Sequence, residues 1–111
     1  MTFGRALQAV RERRRDADGE PVWSRGMAAR KLGIDRGWYW RIEHDQEAPL
    51  HCDQITRLCK ARGLSEEAPR LCAFALARVM ERQGYQVDDG ALARIEEMVR
   101  GMRFKAKEGE G

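Results

Sequence analysis

The sequence lacks the features that mark membrane-spanning, disulfide-rich and β-rich proteins. No apolar run reaches the length of about 20 residues that crosses a bilayer. The three cysteines are odd in number and have no paired close spacing, which argues against a disulfide scaffold. No stretch of useful length alternates apolar and polar residues, so strands are not predicted. The N-terminus shows no signal-peptide pattern, and a cytoplasmic location is expected.

Residues that build metal and catalytic sites are also sparse. His51, Cys52, Cys59 and Cys72 include no Cys-x-x-Cys and no His-x-x-x-His spacing. Cys52 and Cys59 are seven residues apart and can share a helical face, which is also how small core residues are placed. No nucleophile–base pairing, glycine-rich phosphate loop or catalytic carboxylate pair stands out. We therefore expect no enzyme activity, no metal site and no other cofactor.

The charge that is present is unevenly distributed. The chain has a net charge of +3. Residues 1–62 carry thirteen Lys and Arg against nine Asp and Glu, whereas residues 63–111 carry eight against nine. A basic N-terminal part fits a nucleic-acid footprint. Ordinary solubilising charge is the alternative, because an excess of this size does not exclude it.

Polar capping residues and glycines divide the chain into six predicted helices, which makes the fold class all-α. The predicted N-caps of helices one, two, three, five and six are Thr2, Ser24, Asp35, Ser65 and either Asp88 or Asp89. The first helix is predicted to run to about Arg15. The fourth is predicted to end at Gly63 and the fifth at Gly84, where glycine allows the left-handed conformation of a helix end.

The segment from Arg25 to Glu43 is the most informative part of the sequence. It predicts two short helices joined by a tight turn at Gly33, with the small Ala29 allowing the helices to approach closely. Tyr39 and Ile42 are three residues apart and can share a buried face. The residues that then fall mainly on the other side are Arg36, Gly37, Trp38 and Arg41. An arginine-bearing second helix after a tight turn is the pattern of a DNA-reading helix-turn-helix.

This pattern resembles the phage repressor and Cro family, whose members are called XRE-type regulators. The resemblance covers roughly residues 3–64. The matching residues are Phe3-Gly4-Arg5-Ala6-Leu7, Arg11, Ser24, Ala28-Ala29, Lys31-Leu32-Gly33, Ile42-Glu43, Pro49, Ile55, Leu58 and Gly63-Leu64. The resemblance implies five short helices, of which the second and third form the motif. It also implies binding to double-stranded DNA, usually as a homodimer on a two-fold symmetric operator.

The resemblance assigns base reading to Arg36, Gly37, Trp38 and Arg41. Either arginine can make the bidentate contact to guanine that its geometry favours. A solvated helix face, with pairing to a nearby aspartate, is the alternative for both. Gly37 is interpreted as allowing close approach to DNA or as simply tolerated, and Trp38 as contacting bases or packing locally.

Other residues are assigned to the DNA backbone and to the support of the motif. Ser24 and Arg25 begin the second helix, where backbone amides can meet a phosphate. Trp40 is assigned to the DNA backbone, with local or partner packing left open. Arg11 and Glu43 match a family pair that bridges the first and third helices. The alternative interpretation is that they are two independent surface charges. Tyr39 replaces a buried aliphatic residue and brings a hydroxyl that will need a partner.

The C-terminal part predicts a dimer, with coverage of the sixth helix by the fifth helix of the same chain as the alternative. Leu92, Ile95, Val99 and Met102 form a heptad-like seam on the sixth helix. The fifth helix has a stripe that includes Leu76, Val79 and Met80, with Leu71 and Phe74 flanking it as surplus apolar surface. We therefore divide the chain into a DNA-binding domain, residues 1–64, and a dimerisation extension, residues 65–111. The expected function is a sequence-specific transcriptional regulator that represses by occupying its operator as a dimer; the alternative is an antitoxin-like or adaptor protein that binds a partner protein.

Overall fold

The computed structural model describes residues 1–13 and 22–102, and all regular structure in these two ranges is helical. The helices are α1 (Phe3–Glu12), α2 (Arg25–Leu32), α3 (Arg36–Glu43), α4 (Cys52–Ala61), α5 (Ala68–Arg82) and α6 (Asp89–Gly101), with a 3₁₀ turn at Ser65–Glu67. The predicted all-α class is confirmed. Within the described ranges, no helix is long and apolar enough to span a membrane.

Four of the predicted N-caps are formed by side chains that accept a backbone hydrogen bond. The distances are 3.2 Å from Arg5 N to Thr2 Oγ1, 3.1 Å from Met27 N to Ser24 Oγ, 3.1 Å from Trp38 N to Asp35 Oδ2 and 2.8 Å from Ala91 N to Asp88 Oδ1. Each bond satisfies an amide that has no partner inside its helix. The start of α4 differs, because His51 is the cap and its own amide donates to Gln54 Oε1 at 2.9 Å.

The prediction for the end of the first helix was wrong. Helix α1 ends at Glu12, and Arg13 is extended with φ −64° and ψ 127°. The buried Arg62 donates a hydrogen bond from Nη2 to the Arg13 carbonyl, and its guanidinium carbon lies 5.2 Å from the Trp23 ring centre. Arg13 also forms an ion pair with Glu67 at 2.6 Å. Both contacts favour the extended conformation of Arg13 over continuation of α1. The predicted loop at residues 16–21 lies outside the described residues.

The prediction that Ser65 caps the fifth helix was also wrong. Residues 65–67 form a separate 3₁₀ turn without a side-chain cap, and α5 begins at Ala68 with Pro69 in its first turn. Leu64 is buried, and its amide donates to the Cys59 carbonyl at 2.7 Å. This anchors the chain one residue after Gly63, which has the predicted positive φ of 70°. The tight turn therefore has to be completed before the next helix can start.

One hydrophobic core joins the helices. Its largest fully buried apolar side chains include Leu7, Tyr39, Ile55, Leu58 and Leu71. Helix α5 packs against α1, α4 and α6, whereas α2 and α3 pack against each other and touch the rest through α4 and α1. The α2–α3 pair therefore lies on one side of the molecule with its outer surface open.

The surplus apolar surface of α5 is not where the sequence placed it. Leu71 and Phe74 are buried in the core of the chain itself, because α1 and α4 pack on the first half of α5. The exposed apolar residues of this helix are Leu76, Val79 and Met80, with exposures of 39%, 42% and 38%. On α6, Val99 is buried and Leu92 and Ile95 are partly buried against the core, while Met102 is exposed. The predicted division into residues 1–64 and 65–111 remains a prediction.

Candidate nucleic-acid interface

A tight turn at Gly33 sets the geometry of α2 and α3. Gly33 has φ 68° and ψ 31°, in the left-handed region that favours glycine. Its amide donates to the Arg30 carbonyl at 3.2 Å, and the Ile34 amide donates to the Ala29 carbonyl at 3.0 Å. Ala29 itself is buried, so its small side chain lies inside the helix pair. These contacts fix the direction in which α3 leaves the turn.

Helix α3 buries one face and exposes the other. Tyr39 and Ile42 are 0% and 2% exposed, respectively. The opposite face carries the four residues assigned to base reading, Arg36, Gly37, Trp38 and Arg41, of which the first three are exposed and Arg41 is half-buried. The structure therefore brings these four residues together on one outward surface, with Trp38 43% exposed. This surface offers cationic donors beside an apolar ring.

Arg41 is held in a defined position on this surface. Its guanidinium carbon lies 5.5 Å from the centre of the Trp38 ring, within the range of a cation–π contact. Its Nε lies 3.4 Å from Glu47 Oε2, an ion pair that the sequence did not suggest. A Cβ added at Gly37 would lie 4.0 Å from Arg41 Nη1. The side chain thus runs back along α3 towards the helix N-terminus.

A groove lies between the N-terminus of α2 and the first half of α3. Its lining residues are Ser24, Arg25, Gly26, Arg36, Gly37 and Trp40. A Cβ added at Gly26 would approach Arg36 Cδ to 3.4 Å, so the glycine gives the arginine room. Two guanidinium groups and the positive end of a helix dipole favour an anion of phosphate chemistry here. The groove brings the three residues predicted to contact the DNA backbone next to Arg36 and Gly37, which are predicted to read bases.

A buried ion cluster connects this groove to the core. Arg11 Nε and Nη2 donate to the two Glu43 carboxylate oxygens at 2.5 and 3.1 Å, and Arg11 Nη1 donates to the Trp23 carbonyl at 2.7 Å. Arg25 Nε donates to Glu43 Oε1 at 3.1 Å, a contact missed at the sequence level. The Glu43 side chain is fully buried, whereas that of Arg25 is 37% exposed. Arg25 therefore links the end of α3 to the surface.

The charges in this cluster shift the pKa values of its members. Burial by itself lowers the pKa of Arg11, but the hydrogen bonds and negative charge of Glu43 outweigh it and raise that pKa. Burial, followed by the charge of Glu43, raises the pKa of Tyr39. The Tyr39 hydroxyl is buried and makes no hydrogen bond of normal geometry with a described residue. Its expected need for a partner is therefore not met by the side chains around it.

Trp40, the second exposed aromatic residue of α3, forms a stacked pair with His44. The Trp40 and His44 rings are 3.7 Å apart with an interplanar angle of 15°, and His44 Nδ1 is 2.8 Å from the Trp40 carbonyl oxygen. Trp40 is 41% exposed and lines the groove, and one face of its ring stacks on His44. Trp38 and Trp40 thus differ, since Trp38 lies against a cation and Trp40 against an imidazole.

The cysteines lie in the helical core and not at this interface. Cys59 and Cys72 are buried, and Cys52 is partly exposed. Burial raises the pKa of the Cys59 thiol to about 12 and also raises the pKa of Cys72. In the part of the chain that the structure describes, no group of three or more His, Cys, Asp or Glu residues could hold a metal ion.

A family model described as a helix-turn-helix domain matches residues 2–71, which is more than half of the chain. The chain belongs to the helix-turn-helix family. This is a family of DNA-binding domains in which the second helix of the motif enters the major groove, a position held here by α3. Searches of curated proteins and of solved structures each found no significant match.

The helix-turn-helix domain uses several residues that were not singled out from sequence. Glu47, Gly26 and Arg62 gave no local signal, because their contacts are with residues distant in the fold or on a loop. Gly4 was among the residues matched to the family but was given no role, although a glycine inside a helix costs about 1 kcal/mol relative to alanine and so indicates a close approach. The Gly4 amide donates to Asp45 Oδ1 at 3.0 Å, and this contact joins α1 to the loop after α3.

Proposed function

We propose that this helix-turn-helix protein is an XRE-type, sequence-specific transcriptional regulator of double-stranded DNA. It acts in the cytoplasm as a homodimer on a two-fold symmetric operator, and it represses by occupying that operator, without enzymatic activity. The observation that carries the proposal is the outward face of α3, where Arg36, Gly37, Trp38 and Arg41 lie together beside the α2 groove.

The two parts of this surface suit different parts of DNA. The α3 face presents arginine donors that match the O6 and N7 acceptors of guanine in the major groove. The groove presents Ser24, Arg25 and the α2 N-terminus, which suit a phosphate and carry no base information. With a phosphate in the groove, α3 would be fixed in register along the duplex. Trp40 borders the groove and would contact the sugar–phosphate backbone.

We expect Arg36→Ala and Arg41→Ala each to weaken binding to the preferred duplex by about 1–3 kcal/mol, because each removes one set of base-edge hydrogen bonds. The preferred duplex would first be selected from a random pool, and affinities measured by gel-shift titration. Arg82→Ala is the matched control, since this exposed arginine is the last residue of α5 and belongs neither to the α3 face nor to the groove. Unchanged selectivity in both α3 variants would refute the assignment of α3 as the reading helix.

The exposed apolar surface of the C-terminal helices supports a dimer. Leu76, Val79 and Met80 form a stripe on α5 with spacing of three and four residues, so they share one helical face. Met98 on α6 and Met102 just after it are 63% and 56% exposed. A second copy would cover such a surface in a two-fold arrangement. Two α3 helices could then enter successive major grooves, about 34 Å apart.

We expect Val79→Lys to convert the dimer to a monomer and to weaken operator binding, because it places a charge in the apolar contact. Light scattering after size exclusion would give the mass at micromolar concentration. Glu81→Lys, at an exposed position two residues along α5, introduces the same side chain outside the stripe and should leave the mass unchanged. A wild-type monomer that keeps tight DNA binding would contradict the dimer.

The same apolar stripe also favours a second candidate function. An antitoxin-like or adaptor protein would use Leu76, Val79 and Met80 to hold a different protein, and DNA would be secondary. DNA retention that falls steeply with salt supports the regulator, because phosphate contacts release counterions. A tight complex with a partner protein and no such DNA affinity would support the adaptor.

A further inference from the structure

We infer that Glu47 positions Arg41 for base reading and thereby determines part of the DNA specificity of this protein. The inference rests on the proposed function, since it concerns how one residue of the α3 face works. The ion pair joins Arg41 Nε to Glu47 Oε2 at 3.4 Å, with side-chain exposures of 43% and 30%. Glu47 itself is not on α3 and is outside the base-reading set.

The loop that carries Glu47 is fixed in place two residues earlier, at Asp45. The Asp45 carboxylate accepts the Gly4 amide at 3.0 Å, and its carbonyl accepts Arg78 Nη2 at 2.6 Å. Asp45 also has a positive φ of 57°, a conformation that aspartate tolerates in turns. Contacts from α1 and α5 thus hold the start of this loop. Glu47 is presented to Arg41 from a supported position and not from a free chain.

The contacts around Arg41 leave its reading atoms available. Glu47 approaches Arg41 at Nε, the Trp38 ring centre lies 5.5 Å from the guanidinium carbon, and Gly37 places no side chain beside Nη1. The two terminal nitrogens can then donate side by side to guanine O6 and N7. Without Glu47, the long side chain would have to be ordered on binding, at a cost in conformational entropy. Glu47 therefore acts as a positioning residue.

Glu47 should support specific binding through Arg41, but its negative charge should weaken nonspecific binding to DNA. A carboxylate near the DNA surface repels phosphate, so its removal should strengthen binding to any duplex. Loss of positioning should instead weaken only the contact to the base pair that Arg41 reads. The ratio of the affinity for the selected duplex to that for a scrambled duplex distinguishes the two effects. Loss of positioning lowers this ratio, whereas loss of phosphate repulsion raises the affinity for both duplexes.

The test compares wild type, Glu47→Gln, Arg41→Ala and the double variant on the selected and scrambled duplexes. We expect Glu47→Gln to lower the specificity ratio about two- to fivefold, the range of an exposed ion pair. Binding to the scrambled duplex should stay equal or rise. In the Arg41→Ala background, Glu47→Gln should leave the ratio unchanged, because the residue it positions is gone. Thermal melts establish that all variants are folded at the assay temperature.

Glu96→Gln is the matched control. It removes the same charge from an ion pair with Arg100 on α6, at a similar side-chain exposure of 27%, and should not change the ratio. An unchanged ratio in Glu47→Gln, or an equal fall in the Arg41→Ala background, would overturn the inference while the proposed function stands. Failure of the wild type to select any duplex would instead refute the proposed function.

Discussion

Replacing Glu43 with alanine is expected to cost about 3–5 kcal/mol of the free energy of unfolding, because it leaves a buried arginine without its counter-charge. Arg11 is only 4% exposed and donates to both Glu43 carboxylate oxygens. The loss also frees Arg25, which shares the same carboxylate. Chemical denaturation followed by circular dichroism would measure the change.

Glu12→Gln is the control for this variant. Glu12 also contacts Arg11, at 3.2 Å, but its side chain is 45% exposed, so its loss should cost less than about 1 kcal/mol. Replacing Arg11 and Glu43 together by apolar residues should recover much of the stability, because no unpaired buried charge remains. Equal stability of Glu43→Ala and Glu12→Gln would show that the buried cluster does not support the fold.

Gly4→Ala is expected to destabilise the protein by about 3 kcal/mol, the upper part of the usual range for an overpacked core. An added Cβ would lie 2.7 Å from the Glu43 carbonyl carbon and 2.8 Å from Asp45 Oδ2, and it would meet the Glu43 carbonyl oxygen still more closely. Because the Glu43 atoms are main-chain atoms at the end of α3, the backbone itself would have to shift. Thermal melting would show the loss.

Gly101→Ala provides the comparison, since nothing lies within 4 Å of a Cβ added at that position in α6. It should be neutral, or stabilising by up to about 1 kcal/mol through helix propensity. Gly4→Ala melting like wild type would show that α1 and α3 can separate without cost. In that case the support of Asp45, and with it the supported loop before Glu47, would also be weaker than the contacts indicate.

Both variants act on the same structural connection. Glu43 and Gly4 join α1 to the end of α3, and neither lies on the outward face of α3. Their effects on DNA binding would therefore come through the orientation of α3. An affinity loss on selected and scrambled duplexes alike would fit this, because misplacing the helix disturbs phosphate and base contacts together.

The sequence by itself determined the helical class and the motif. The polar caps Thr2, Ser24, Asp35 and Asp88 accept hydrogen bonds from amides of their own helices. Gly33 has the positive φ that ends α2 and allows α3 to begin three residues later. These interactions are local, so residue type and spacing are enough to predict them. Helical spacing is also local, and it was enough to predict that Tyr39 and Ile42 lie on the buried face of α3 and not on its exposed face. The DNA contacts assigned to that face remain predictions.

Only the tertiary structure decided where contacts between distant residues replace local preferences. Arg62 ends α1 at Glu12, the turn after Gly63 delays α5 to Ala68, and the core buries Leu71 and Phe74. The ion pairs of Arg25 with Glu43 and of Arg41 with Glu47 were also decided by the tertiary structure, because they form only when the helices and the loop after α3 have packed. A charged residue can pair with any opposite charge that the fold brings near, and sequence spacing does not specify which one.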